Sequence, residues 1–182
     1  MVNSKSAYSV AGKKQRNDTH IIVVWVDNEA GVLARVVGLF SGRGYNIESL
    51  AVAEVAQKQN ISRITIVTTG TPQVIDQIKL QLKKLVPVHK VADFKREDKN
   101  VIFKEMALFK FVANNKKLIG ALNACRNYNP VVLDQTKKSQ VIQITALRRE
   151  IDKMSKNLTK FGLVSVSRTG AVAMTRGSDV FK

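Results

Sequence analysis

Apolar positions along the chain switch between two periods, and the order of the switches outlines an architecture. The run HIIVVWV (20–26) is β-branched and reads as a strand. DNEAG supplies turn residues, and VLARVVGLFSGRG then places Val32, Leu33, Val36, Val37, Leu39 and Phe40 at helical spacing, with Gly42 and Gly44 as stop signals. NIESLAVAEV (46–55) alternates as a strand does, with Ile47, Leu50 and Val52 among its apolar positions. A polar connector, AQKQN, leads to a second β-rich run, ISRITIVTT (61–69). Thr71 as N-cap and Pro72 as first helical residue open the helix PQVIDQIKLQLKKL, and VPVHKVADF closes the unit as a fourth strand. The order is βαββαβ.

The second half repeats it. KEMALFKFV (104–112) reads as a strand, NKKLIGALNACRN as a helix, PVVLDQ (130–135) and SQVIQITAL (139–147) as a strand pair, REIDKMSKNLTKF as a helix, and GLVSVSR as a last strand. With a repeat of roughly 80 residues, the fold class expected is α+β: two ferredoxin-like sandwiches, each with two helices on one face of a four-stranded antiparallel sheet. The other sheet face must be covered by something, because an apolar face left in water is a liability. The expected divisions are an N-terminal extension (1–19), a first domain (20–94), a linker (95–103) containing the charged KREDKN, and a second domain with its tail (104–182). TGAVAMTRGSDVFK reads as a short apolar hook and a tail.

Composition narrows the chemistry. Apolar residues make up 45% of the 182 and charged residues 24%, enough for packed cores. A single cysteine, Cys125, and two histidines, His20 and His89, leave no material for a disulfide framework or a Cys/His metal cluster. No apolar stretch is long enough to span a bilayer, and the first twenty residues lack the apolar run of a secretory signal. Their four bases and one acid are compatible with a short organellar presequence. The net charge of +16 is uneven: residues 98–182 hold sixteen bases against six acids. Such a balance raises nucleic acids or anionic surfaces as partners, but the lysines are scattered as pairs, which is the pattern of a solvated basic surface.

No catalytic constellation emerges. His20 and His89 lie in strands away from any nucleophile loop, the acids are sparse, and Cys125 sits in a helix as a small buried apolar residue would. GRGYNI (42–47) follows a helix rather than a strand and lacks a third glycine, so it is a helix stop and not a dinucleotide loop. The informative segment is Asp27-Asn28-Glu29-Ala30-Gly31. A helix N-terminus offers free amides and the positive end of a dipole to a carboxylate, Gly31 keeps the approach clear, and Asn28 brings a donor and an acceptor. The same residues also describe an ordinary strand-to-helix turn.

The run DNEAGVLARVVGLFSGRGYNIESLAVA resembles the opening of the regulatory, or small, subunit of acetolactate synthase (acetohydroxyacid synthase). SRITIVTTG, QIKLQLKKLVPVHKV and RTGAVAMTRG resemble later parts of the same family, so the likeness covers about residues 20–177. It implies that the first domain is an ACT domain, the amino-acid-sensing module built on this sandwich. It further implies that such domains pair side by side into a homodimer and bind the feedback amino acid, valine, between protomers. Asn28 and Gly31 would come from one protomer, Asn46 and Ile47 from the second strand of the other, and Val52 would line the side-chain pocket. The chain itself would do no chemistry and hold no cofactor or metal. It would activate a catalytic large subunit carrying thiamine diphosphate, FAD and magnesium, and make it sensitive to valine in branched-chain amino acid biosynthesis. The second half has ANNKK (113–117) where the ACT turn would be, and ITALRRE where the family shows an acid and a Thr-Gly pair, so no amino-acid site is expected there.

A pair of RNA-binding ferredoxin-like domains is the alternative from another class, but 61–69 carries no aromatic for base stacking. An ACT-fused transcription regulator would need a helix-turn-helix segment outside the sandwiches. The expected location is the cytoplasm of a bacterium, or the plastid stroma of an alga, with no membrane or nucleic-acid partner.

Overall fold

The computed structural model describes residues 17–96 and 98–178. Most of the N-terminal extension and the end of the tail lie outside the described residues. The first half runs β1 (Asp18–Asp27), α1 (Val32–Ser41), β2 (Ser49–Ala56), β3 (Ile61–Gly70), α2 (Pro72–Leu82) and β4 (Val88–Lys95). Its antiparallel sheet has the order β2-β3-β1-β4. Alternation sends Ile22, Val24 and Val26 of β1, with Ile64 and Ile66 of β3, toward the helices, where they meet Val36, Phe40, Ile75 and Ile78. The Thr71 hydroxyl caps α2 by accepting from the Val74 amide, and Pro72 is the first helical residue.

The second half runs β5 (Val101–Val112), α3 (Asn115–Cys125), β6 (Val131–Gln135), β7 (Ser139–Ala146), α4 (Arg148–Leu158), β8 (Leu163–Arg168) and β9 (Val172–Thr175). Its sheet has the order β6-β7-β5-β8, with β9 added to the N-terminal end of β5. Phe109 and Phe111 of β5, Ile142 and Ile144 of β7, and Leu118, Ile151 and Leu158 of the helices form its core. Both halves are ferredoxin-like α+β sandwiches.

Three boundaries differ from the sequence expectation. Strand β1 begins at Asp18, inside the segment assigned to the extension. Val101, Ile102 and Phe103, placed in the linker, begin β5, and the apolar hook is β9, whose Val172–Thr175 pairs with Val101–Lys104. Pairing with the end of β3 extends β1 to Asp18, and the other two differences share one cause. The ribbon of β5 and β9 lies over the outer face of the first sheet, where Ile21, Val23 and Val67 pack against Val101, Phe103, Ala171 and Ala173. Phe94 and Phe103 approach with ring centroids 6.5 Å apart. The outer face of the first sheet is covered by the chain's own second half.

Polar contacts brace the second half and join it to the first. Arg168 donates to both oxygens of the buried Glu105 carboxylate, at 2.7 and 2.8 Å, and to Asp152 at 2.6 Å. These contacts, Glu105 first, hold the guanidinium above its ordinary pKa against the opposing effect of burial. Gly170, at φ +79°, leaves room where a Cβ would meet the Ser49 hydroxyl at 2.6 Å. That hydroxyl accepts from the Ala171 amide across the two halves.

Candidate functional site

The loop between β1 and α1 is held from below and open above. The Asn28 amide donates to the Asn60 carbonyl at 2.7 Å, and Ser62 Oγ donates to Asn28 Oδ1 at 2.9 Å. With its oxygen engaged, Asn28 presents its Nδ2 amino group as the remaining donor. Gly31 is the N-cap of α1 at φ +85°, a left-handed conformation that side-chain-bearing residues rarely adopt. No side chain caps α1 and no acid lies in its first turn, while space beside Gly31 is open to 4 Å from an added Cβ. Among the described residues the amides of Leu33 and Ala34 donate to nothing. The arrangement is a set of amide donors at the positive end of a helix dipole, flanked by an oriented carboxamide, and it can hold a carboxylate.

The other candidate residues stand elsewhere. Asn46 and Ile47 precede β2 rather than forming part of it. The Asn46 carbonyl accepts from Thr68 Oγ1 at 2.7 Å, and Ile47 packs against the core of the first half. Val52 lies on β2, half exposed, opposite Ile64 and therefore on the helix side of the sheet. Asn28 is tied to Ser62 and Asn46 to Thr68, and these anchors lie at opposite ends of β3. At about 3.3 Å per residue the two parts are about 20 Å apart, so one chain does not bring them together.

Family models match both halves: an acetohydroxyacid synthase small-subunit-like ACT domain over residues 22–90, and the small subunit of acetolactate synthase over 104–177. The chain is 35% identical to a probable acetolactate synthase small subunit of Methanothermobacter thermautotrophicus over 162 residues, 88% of this chain and 95% of that one. It belongs to the acetolactate synthase small-subunit family. The Aquifex aeolicus small subunit is 38% identical over 86% of this chain and 81% of its own. The crystal structure of the Thermotoga maritima small subunit superposes with a TM-score of 0.77 at 29% identity, covering 88% of this chain and 99% of that one. The first half of this small-subunit chain is accordingly an ACT domain.

The two histidines and the cysteine make structural contacts. Buried His20 is 2.7 Å from Asp93 through Nδ1, and His89 Nε2 lies 2.6 Å from Asp27. Cys125 is enclosed in the second core, and burial pushes its thiol up to about 11, away from nucleophilic reactivity. Among the described residues no cluster of His, Cys, Asp and Glu could hold a metal, and no helix is long and apolar enough to cross a membrane. Sequence reasoning missed Asn60 and Ser62, which orient Asn28. The only local signal was the Asn at the end of AQKQN, whose φ of +53° marks a turn.

Proposed function

We propose that the chain is a non-catalytic regulatory subunit that binds a catalytic acetolactate synthase subunit, raises its activity and makes it subject to inhibition by valine. The observation that carries this reading is the uncapped, glycine-opened start of α1 in a domain whose edge strand β2 is unpaired on one side. Strand β2 runs parallel to β1, so the Asn28 loop lies at its far end and Asn46 at its start. Antiparallel pairing of β2 with the β2 of a second copy, across a two-fold axis, brings Asn46 and Ile47 of one protomer toward Asn28 and Gly31 of its partner. The homodimer then has two equivalent sites. The α1 amides and Asn28 take the zwitterion, and Val52 offers an apolar wall to the branched side chain. Because each site spans two chains, valine favours one arrangement of the dimer, and the catalytic subunit bound to it responds.

In this reading thiamine diphosphate, FAD and magnesium belong to the catalytic partner, and the complex works in the cytoplasm or a plastid stroma. The RNA-binding alternative needs an open sheet face on each sandwich, and in the first the outer face of β1 and β3 is occupied by β5 and β9. The test is acetolactate formation by the cognate catalytic subunit with and without this chain, titrated with valine. The rate rises on addition of the chain and falls with valine, while the chain alone is inactive. An unchanged rate and no response to valine overturn the reading.

A further inference from the structure

Between the two sandwiches lies a cavity of about 430 Å³ whose floor is the shared core, including Ile21, Val67, Phe103 and Leu147. That size falls within the roughly 300–1,000 Å³ typical of small-molecule sites. Its rim is basic. Arg96 follows β4, Lys104 stands on β5, Arg148 and Arg149 open α4, and Arg176 follows β9. Asp98 is the one acid among the described lining residues, and its carboxylate already accepts from the Asn100 amide. Arg148 donates to the Glu48 carbonyl and has the Glu48 carboxylate at 3.9 Å. In the first turn of α4 the two arginines precede Glu150, whose carboxylate accepts from the Leu147 amide. Lysines scattered on a surface need no partner. Five cations brought by four separate chain segments to the mouth of one apolar cavity are a different arrangement, and four of them come from the strongly basic second half.

We propose that this cavity binds a small organic anion of the phosphate-ester class, with its apolar body on the shared core and its doubly charged group among the arginines, and so clamps the two sandwiches together. The site is independent of the valine reading, because it lies at the start of β1 and Asn28 lies beyond the end of that strand. Charge alone would take any anion weakly, and the apolar floor alone would take any small hydrophobe. The combination selects a molecule with both parts.

The experiment is calorimetric titration of the purified full-length chain at low ionic strength with three probes: phenyl phosphate, inorganic phosphate and benzyl alcohol. Phenyl phosphate saturates at one per chain, binds roughly tenfold or more tightly than inorganic phosphate, and raises the melting temperature, while benzyl alcohol does not saturate. Reversing Arg96→Glu with Arg176→Glu weakens phenyl phosphate by at least about tenfold. Reversing Lys153→Glu with Lys156→Glu, exposed residues of α4 outside the cavity, makes the same change in net charge and leaves affinity within about twofold. All four side chains are exposed, so the folded state persists in both variants. Phenyl phosphate binding no tighter than inorganic phosphate, or equal weakening by the two reversals, overturns the proposal.

Discussion

Helices α1 and α3 occupy the same place in their two sandwiches, and they begin differently. At α3 the Asn114 side chain accepts from the Lys117 amide at 3.0 Å, so the helix supplies its own acceptor. At α1 the chain arrives through Gly31 in a left-handed turn, and no side chain covers the first-turn amides. A missing cap costs about 1 kcal/mol of local stability. The two halves share a topology, and only one leaves its helix entrance unsatisfied. A local rule broken in one copy and kept in the other is what the proposed ligand at α1 would account for. The second half instead braces itself through Arg168 and covers the first sheet through Gly170 and the ribbon that β9 completes.

That division of labour can be broken from either side. Arg168→Ala leaves the buried Glu105 carboxylate without its bidentate partner, and the expected loss is about 3 kcal/mol, at the low end for a buried pair because Arg168 is partly solvated. Denaturant unfolding checks it, and a loss below about 1 kcal/mol shows that the latch contributes little. Gly31→Asp acts on the first half. It sets a carboxylate against the ligand's own, and valine inhibition should shift at least a hundredfold, about 3 kcal/mol, with activation of the catalytic subunit retained.

Much of this comparison was legible in the sequence. Both βαββαβ units followed from apolar periodicity, because residues such as Ile22, Val24 and Val26 alternate cleanly, and the helices keep one apolar stripe each. The turn that opens α1 was legible from Asn28 and Gly31, and ANNKK was legible as departing from it, while the Asn114 cap became visible only in the structure. The start of β5 was hidden by the charged KREDKN beside it. Strand β9 has only four residues, and its pairing with Val101–Lys104 is a long-range event that no local pattern announces. Asn60 and Ser62 were hidden for a related reason. They reach Asn28 only because β3 pairs with β1, so their part in the site is a property of the sheet.

Two smaller effects sharpen the contrast. Asn114→Ala should cost about 1 kcal/mol in thermal unfolding and leave valine inhibition unchanged, since α3 has no ligand to lose. An altered inhibition curve would show that the second half takes part in sensing. Ser62→Ala removes the hydrogen bond that orients Asn28 without touching the ligand. It should weaken valine by about 1 kcal/mol, roughly fivefold, with no change in activation.

The central claim is that each effector site is shared between two copies of the chain, and subunit complementation tests it most directly. Gly31→Asp disables the α1 side of a site, and Val52→Phe overfills the β2 side while leaving its exposed strand position foldable. Each variant alone should bind no valine. Co-refolded in equal amounts, they form mixed dimers that carry one doubly altered site and one untouched site, so valine binding should return to about a quarter of the wild-type number of sites at wild-type affinity. A mixture that binds no valine, or a Val52→Phe dimer that binds as the wild type does, would contradict the shared site.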